Sequence, residues 1–307
     1  MAHLLRGMVF GGLVAATVGI SGWYAWNTFN DAQHTETVKM AVHGTGPMTE
    51  TPQTAAADKM YDYSFKNKKM FITYDKGTHW QQVPAEMNEF FGGEYATANQ
   101  NQLLPDSFLI TPEKTGLLVV KNETSLIWLE TIDEGHSWQE YSVLPRTAGV
   151  RFRKIQFLED NFVAVFASGG RVMGQEGCSI ALSHDGGHTW QKAAADGLAL
   201  GSLVTAATFT DEQTAFVSRK TQLMVSSNGG QRFAEAKINV PPKYEKIFVW
   251  PEAPVKEAEG KLSLLMNQGE AGDYRGGLVK GRFESTDGGQ TFDFVAEVES
   301  QPEVAPG

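Results

Sequence analysis

One octad recurs five times along the 307-residue chain, in the form Ser/Thr-x-Asp/Asn-x-Gly-x-x-Trp/Phe. The first copy runs from Thr73 through Asp75 and Gly77 to Trp80, and the second from Thr131 through Asp133 and Gly135 to Trp138. The third places Ser183, Asp185, Gly187 and Trp190 in the same positions, and the fourth Ser226, Asn228, Gly230 and Phe233. The fifth has Ser285, Asp287, Gly289 and Phe292. Five ordered copies mean a repeat architecture, in which each unit buries its apolar face against a neighbouring unit. The octads sit between short runs of strand-forming residues, such as 179–183 before the third and 190–193 after it, so each reads as a hairpin turn. An Asp or Asn side chain accepts hydrogen bonds from turn amides. Glycine supplies the positive φ that other residues resist. The Ser/Thr hydroxyl ties the first strand to the loop, and the aromatic ring packs between neighbouring repeats. Chemistry repeated five times around a chain is architecture, so the octad acids are read as turn stabilisers and not as catalytic or metal-binding groups.

The octad Asp/Asn positions stand 58, 52, 43 and 59 residues apart. A four-stranded propeller blade takes roughly 40–50 residues, so each interval holds one blade plus loop insertions. The fourth repeat shows four strand-like runs at 204–209, 214–218, 222–226 and 233–238, and the second shows them at 107–111, 116–121, 126–131 and 138–144. The first repeat shows only three, and the run 37–42 is expected to supply its missing strand. These patterns predict an all-β chain: a β-propeller of five four-stranded blades, or six if a degenerate blade hides in a long interval.

The octads resemble the Asp box, or bacterial neuraminidase repeat, of sialidase-like β-propellers, and the resemblance covers roughly residues 60–300. Sialidases of that group carry an arginine triad, a Tyr–Glu nucleophile pair, an aspartic acid/base and a Phe/Tyr-Arg-Ile-Pro motif ahead of the first repeat. Here no arginine lies between Arg6 and Arg146, so that motif is absent. Tyr244 and Glu245 stand side by side, but without arginine partners the resemblance does not extend to sialidase activity, which needs that geometry to hold a carboxylate. In organisation the chain is similar to the non-enzymatic group that looks like photosystem II stability/assembly factors, small exported propellers that act as scaffolds. The resemblance implies the scaffold type and not a photosynthetic role.

Residues 8–26 form a 19-residue stretch without a charge, close to the roughly 20 residues that cross a bilayer as a helix. Arg6 precedes it, and Trp23, Tyr24 and Trp26 end it as interfacial aromatics. A cleaved signal peptide is the competing reading. The small-x-small positions near 15–17 fall inside the apolar run, which favours an uncleaved anchor. The expected organisation is a membrane anchor at 1–30, a Thr-, Ala-, Gln- and Pro-rich flexible stalk at 31–58, a propeller at 59–299 and a disordered tail at 300–307. That places the chain in the cell membrane as a single-pass protein, with its C-terminal domain outside the cytoplasm.

Lys and Arg total 26 against 36 Asp and Glu, a net charge of −10. Such a surface argues against nucleic acid or anionic lipid as the main partner. Cys178 is the only cysteine, which excludes an intramolecular disulfide and a cysteine-based zinc site, and it reads as a small buried hydrophobe. His79, His136, His184 and His188 all fall in octads and read as exposed turn residues, so no metal is expected. Phosphate-loop, nucleophile-elbow and dinucleotide motifs are absent, and no cofactor is expected.

In a propeller blade the strands run outward from the axis, and the octad joins the third to the fourth. All octads then share one face, and the remaining loops share the opposite face, where function is expected. Three insertions map to it. Residues 84–106 carry Met87, Phe90, Phe91, Glu94 and Tyr95; residues 168–177 carry Arg171 and Glu176; and residues 267–277 carry Glu270, Asp273, Tyr274 and Arg275. With Arg151 and Arg153 these residues are expected to line a pocket with aromatic walls and a few charges. The plainer alternative has the aromatics plugging the funnel and the charges solvated. The leading expectation is a non-catalytic binding or assembly scaffold for an envelope protein, peptide or glycan. The alternative is a glycoside hydrolase acting on envelope or extracellular polysaccharide. That requires two carboxylates about 5–10 Å apart, from Glu94, Glu176, Glu270 and Asp273.

Overall fold

A computed structural model describes residues 42–43, 60–91, 102–147, 150–269 and 272–299. The expected anchor, most of the expected stalk and the expected tail lie outside these residues. Among the described residues no helix is long and apolar enough to cross a membrane.

The five octads are hairpin turns, and their hydrogen bonds explain the residue types. In the third, the Ser183 hydroxyl accepts from the Gly187 amide at 2.9 Å, and Asp185 Oδ1 accepts from the Thr189 amide at 2.8 Å. The Thr131, Ser226 and Ser285 hydroxyls accept from Gly135, Gly230 and Gly289 at 3.0 Å each, and Thr73 from Gly77 at 2.8 Å. All five glycines have φ between 77° and 103°, a region a side chain resists. The indole N–H of Trp80, Trp138 and Trp190 donates to the carbonyl of its own octad glycine at 2.8–3.1 Å.

Each turn links two antiparallel strands, and each hairpin belongs to its own sheet. The first sheet holds Asp62–Lys66, Lys69–Thr73 and Gln81–Glu86. The second holds Phe108–Ile110, Thr115–Lys121, Ser125–Thr131 and Ser137–Leu144. The third holds Phe152–Phe157, Val163–Val172, Gln175–Ser183 and Gln191–Lys192. The fourth holds Val204–Phe209, Ala215–Arg219, Gln222–Ser226 and Ala234–Glu235. The fifth is built on Trp250–Pro251, Leu262–Asn267, Val279–Ser285 and Thr291–Glu299. Antiparallel sheets of four strands that follow one another in the chain and stack in sequence are the build of a β-propeller.

Four apolar clusters fill the four junctions between consecutive sheets, and the octad aromatic marks each of them. Trp138 lies in the cluster between the first and second sheets, and Trp190 in that between the second and third. Phe233 lies between the third and fourth, and Phe292 between the fourth and fifth. Cys178, buried in the third of these clusters, is the small hydrophobe its isolation suggested. The strand Ala215–Arg219 is buried at every residue, and Thr115–Lys121 at all but its last, as expected of sheets covered on both faces. In the fifth sheet, by contrast, burial alternates strictly along Leu262–Asn267 and Val279–Ser285. One face packs on the fourth sheet. The other carries Lys280 and Arg282, paired with Glu252, Glu257 and Glu284.

Three features depart from the sequence reading. Val42 and His43 pair with Trp138 and Ser137, on the outer strand of the second sheet and not with the first; residues 37–41 of the run expected to complete the first lie outside the described residues. Residues 168–177 are not a loop insertion. They extend the hairpin of Val163–Val172 and Gln175–Ser183, whose ladder runs past Ser168 to Val172 through a bulge. The third departure is a crossing segment that adds an extra strand to the next sheet's edge. Lys237–Asn239 pairs parallel with Thr291, Phe292 and Asp293, and Asp196 bridges Arg232 in the same sense. An outer strand presents unpaired amides and carbonyls, and these short additions satisfy them.

Candidate functional site

Because the strands alternate in direction, the octads lie at one end of the sheets. The turns after Val172, Arg219 and Asn267 lie at the other, with the entries to the inner strands. Of the expected site residues, Arg151 and Glu176 form one group at this second end, and Asp273, Tyr274 and Arg275 belong to another.

The first group joins the third sheet to the fourth. Glu176 is fully buried, with 0% of its surface exposed. Its carboxylate accepts Arg151 Nε at 2.7 Å and a second Arg151 nitrogen, and also takes the Val204 amide at 2.7 Å. The same Arg151 nitrogen reaches the Val204 carbonyl at 2.6 Å. Burial alone would push the Glu176 carboxyl upward, but these donors outweigh it and hold the group below the usual carboxylate range. Arg219, also buried, donates to the Leu198 and Ala199 carbonyls at 2.7 and 2.9 Å. Its guanidinium occupies the space beside Gly201, where a Cβ would lie 2.1 Å from Nη1. The whole arrangement is a clamp: a charged ligand would have to displace interactions that already satisfy it.

Arg153 stands apart. It is 2% exposed, on the inner strand of the third sheet, and its Nε and Nη1 are buried without a partner. Desolvation alone pulls its pKa down to about 10. Phe90 and Phe91 are also buried, in the cluster between the first and second sheets, with ring centroids 5.8 and 5.2 Å from that of Phe65. Tyr95, Glu94 and Glu270 lie outside the described residues, as does the side chain of Arg171.

The second group gathers around Glu297 on the outer strand of the fifth sheet. One carboxylate oxygen accepts from the Tyr244 and Tyr274 hydroxyls, the latter at 2.9 Å, while the other meets Arg275 Nη1 at 2.8 Å. Hydrogen bonding from Tyr244, with smaller help from Tyr274 and the Arg275 charge, holds Glu297 below its ordinary range. The bond to Glu297 in turn pushes the Tyr274 hydroxyl upward. Asp273 lies beside this group, exposed, at the start of a short turn of helix, Tyr274–Gly277. The sequence reading singled out Tyr274, Arg275 and Asp273 but missed Glu297. Nothing in the run from Thr291 to Glu299 distinguishes that one acid from its neighbours, because its role depends on pairing across two connections.

Next to these aromatics an open cavity of about 360 Å³ lies between the fourth and fifth sheets. Leu223, Ala236, Phe248 and Met266 are its buried apolar lining. Ile238, Val240 and Val249 form half-buried sides, and Thr221, Glu235 and Glu245 complete the lining. Sequence reading did not find it, because its walls come from a crossing segment whose extra strand was not foreseen. Among the described residues no group of His, Cys, Asp and Glu side chains is placed to hold a metal ion.

No protein-family model matches the chain. No curated protein matches it in sequence. Among solved structures it is similar to an ancestral GH74 enzyme, at 12% identity and a TM-score of 0.44 over 82% of this chain and 31% of that one. It is also similar to YCF48 from Cyanidioschyzon merolae, at 16% identity and a TM-score of 0.35 over 64% of this chain and 59% of that one. A third similarity is to the NanB sialidase from Streptococcus pneumoniae, at 16% identity and a TM-score of 0.34 over 66% of this chain and 32% of that one. The chain thus spans less than two thirds of each of these proteins, and its likeness to them assigns it no activity.

Proposed function

We propose that the chain is a non-catalytic binding or assembly scaffold. In this reading its five sheets are the blades of one Asp-box β-propeller, held outside the cytoplasm by a single-pass anchor at residues 8–26. Its partner would be an envelope protein, peptide or glycan. The observation that carries the proposal is the state of the charged groups at the loop end. Glu176 and Glu297, each held by several donors, brace the scaffold and are poor acid–base groups. An open cavity between the fourth and fifth sheets, backed by buried Leu223, Ala236, Phe248 and Met266, suits recognition on a rigid frame.

Two experiments test the reading. Full-length protein should fractionate with membranes and resist alkaline extraction, while protease added from outside should degrade the C-terminal domain; a soluble, protected chain sinks the anchor. Affinity capture from envelope extract should yield a discrete partner that is lost on substitution of loop-end residues and kept on substitution of octad-end residues. Turnover of an envelope polysaccharide, abolished by Asp273→Ala, would instead establish the hydrolase.

A further inference from the structure

We propose that Arg153 is the inner end of a binding site for a short aliphatic carboxylate, at the loop end of the junction between the second and third sheets. The inference goes beyond the scaffold reading and does not depend on it.

Strand register fixes where Arg153 points. It pairs with Ala167, which pairs with Ser179, so the three side chains form one row on one face of the third sheet. Ile155 and Ala167, on that face, belong to the cluster shared with the second sheet, which places Arg153 in the same junction. The loop-end part of this junction is apolar, with Val120, Leu126, Leu144 and Val150 in the same cluster. Among these side chains the sequence sets a guanidinium with no ion pair. Its Nε and Nη1 are sealed from solvent without a partner, and of the three nitrogens only Nη2 keeps contact with water. Glu176 cannot serve it. That carboxylate sits on the opposite face, where Arg151 and the Val204 amide hold it. Nor does Arg153 lose its charge at neutral pH, since burial brings its pKa down only to about 10. A cation withdrawn from water with no counter-charge is costly, and a bound anion is the remedy this interior leaves open.

Room for one lies toward the loop end. Beyond the row of Arg153, the next pair on the same face is Gly169 and Gly177, which carry no side chains. A Cβ at Gly177 would meet no atom within 4 Å. The third sheet is therefore bare on the side from which a ligand approaches. Arg146 is exposed, and among the described residues it has no ion pair. It stands in the segment that leads from the second sheet to the strand of Arg153, and it adds positive potential there in a chain of net charge −10.

The chemistry selects the class of anion. One positive charge in apolar surroundings is balanced by a single negative charge, and a phosphate dianion would leave an excess buried. Nη2 forms a planar pair of donors with either Nε or Nη1, and such a pair matches the two oxygens of a carboxylate. The apolar walls accept a short alkyl tail.

Acetate is the probe, added to full-length protein at pH 7 and constant ionic strength, with binding followed by saturation-transfer NMR at its methyl group. Binding should saturate, and methylammonium, which has the same size and the opposite charge, should not bind. Arg153→Met should weaken acetate by about tenfold or more. A urea midpoint at or above that of the parent shows that this variant is folded. Gly177→Val keeps Arg153 but fills the bare face. Gly177 is not in the left-handed region, so the valine should weaken acetate to a similar degree with little change in the midpoint. Acetyl-Ala-Ala with a free C-terminus that binds more tightly than acetate would identify a polypeptide terminus as the source, and weaker binding would identify a free acid. The inference is overturned if acetate does not saturate, if it binds the Met variant as well as the parent, or if an equal concentration of chloride displaces it.

Discussion

Removing the third octad's acid should destabilise the protein by a pH-dependent amount, and the structure gives its size. Burial works against the Asp185 carboxylate, but the Thr189 amide and hydroxyl, the Ser183 hydroxyl and the His188 amide prevail and take its pKa from 3.8 to about 2. At about 1.36 kcal/mol for each tenfold change in proton affinity, that fall would correspond to about 2.4 kcal/mol. Asp185 is exposed, so solvent screening discounts this to about 1 kcal/mol. Because the folded value is the lower one, the contribution is complete above pH 3.8 and is lost as pH falls through about 2. Asp185→Asn keeps the Oδ1 acceptor, as Asn228 does naturally in the fourth octad, where it takes the Arg232 amide at 3.0 Å. It should cost about 1 kcal/mol at pH 7 and approach zero cost near pH 2. Asp185→Ala also abandons the turn amides and should cost about 2 kcal/mol, at the upper end for a lost cap. Urea unfolding followed by tryptophan fluorescence across that pH range measures both. A deficit in the Asn variant that does not shrink with falling pH, or an Ala variant as stable as the Asn one, would refute the reasoning.

Glu176→Ala, which leaves the half-buried Arg151 guanidinium beside an empty space, should cost about 3 kcal/mol in the same urea assay. Arg153→Met should do the reverse, raising the unfolding free energy by about 1–4 kcal/mol, because it replaces an unpaired buried charge with an apolar group of similar length. Gly116→Ala would set a Cβ 1.8 Å from the Trp128 ring and should lower the melting midpoint sharply, by an amount equivalent to about 3 kcal/mol or more. Burial pushes the Cys178 thiol up to about 12, so native protein should not react with a thiol reagent at pH 8 and should react fully once unfolded.

The octads were legible because each of their four fixed positions answers a local need: an acceptor for the turn amides, a positive φ, a hydroxyl at the strand end and a ring for the junction. Local needs leave local signatures, and the strands of the second and fourth repeats follow from them to within a residue or two at most ends. The loop end was legible only as a place. Arg151, Glu176, Tyr274 and Arg275 were named as candidates, but their partners Val204 and Glu297 lie 53 and 22 residues from Arg151 and Arg275. Single-sequence periodicity carries no information on such pairings. Phe90 and Phe91 resemble surface aromatics until a helix of four residues, Met87–Phe90, turns them into the first junction. Lys237 and Ile238 read as the end of the fourth repeat's outer strand, 233–238; that Lys237–Asn239 joins the next sheet in parallel was not legible, because three residues do not say which sheet they pair with.

The division of the interior into four separate junction clusters has a consequence for variation. A substitution that disturbs one cluster meets only the two sheets that enclose it, so its damage stays confined to that neighbourhood. The side chains lining a given crevice can therefore drift toward new ligands while the remaining layers keep the chain folded, a latitude that a single continuous core would not give.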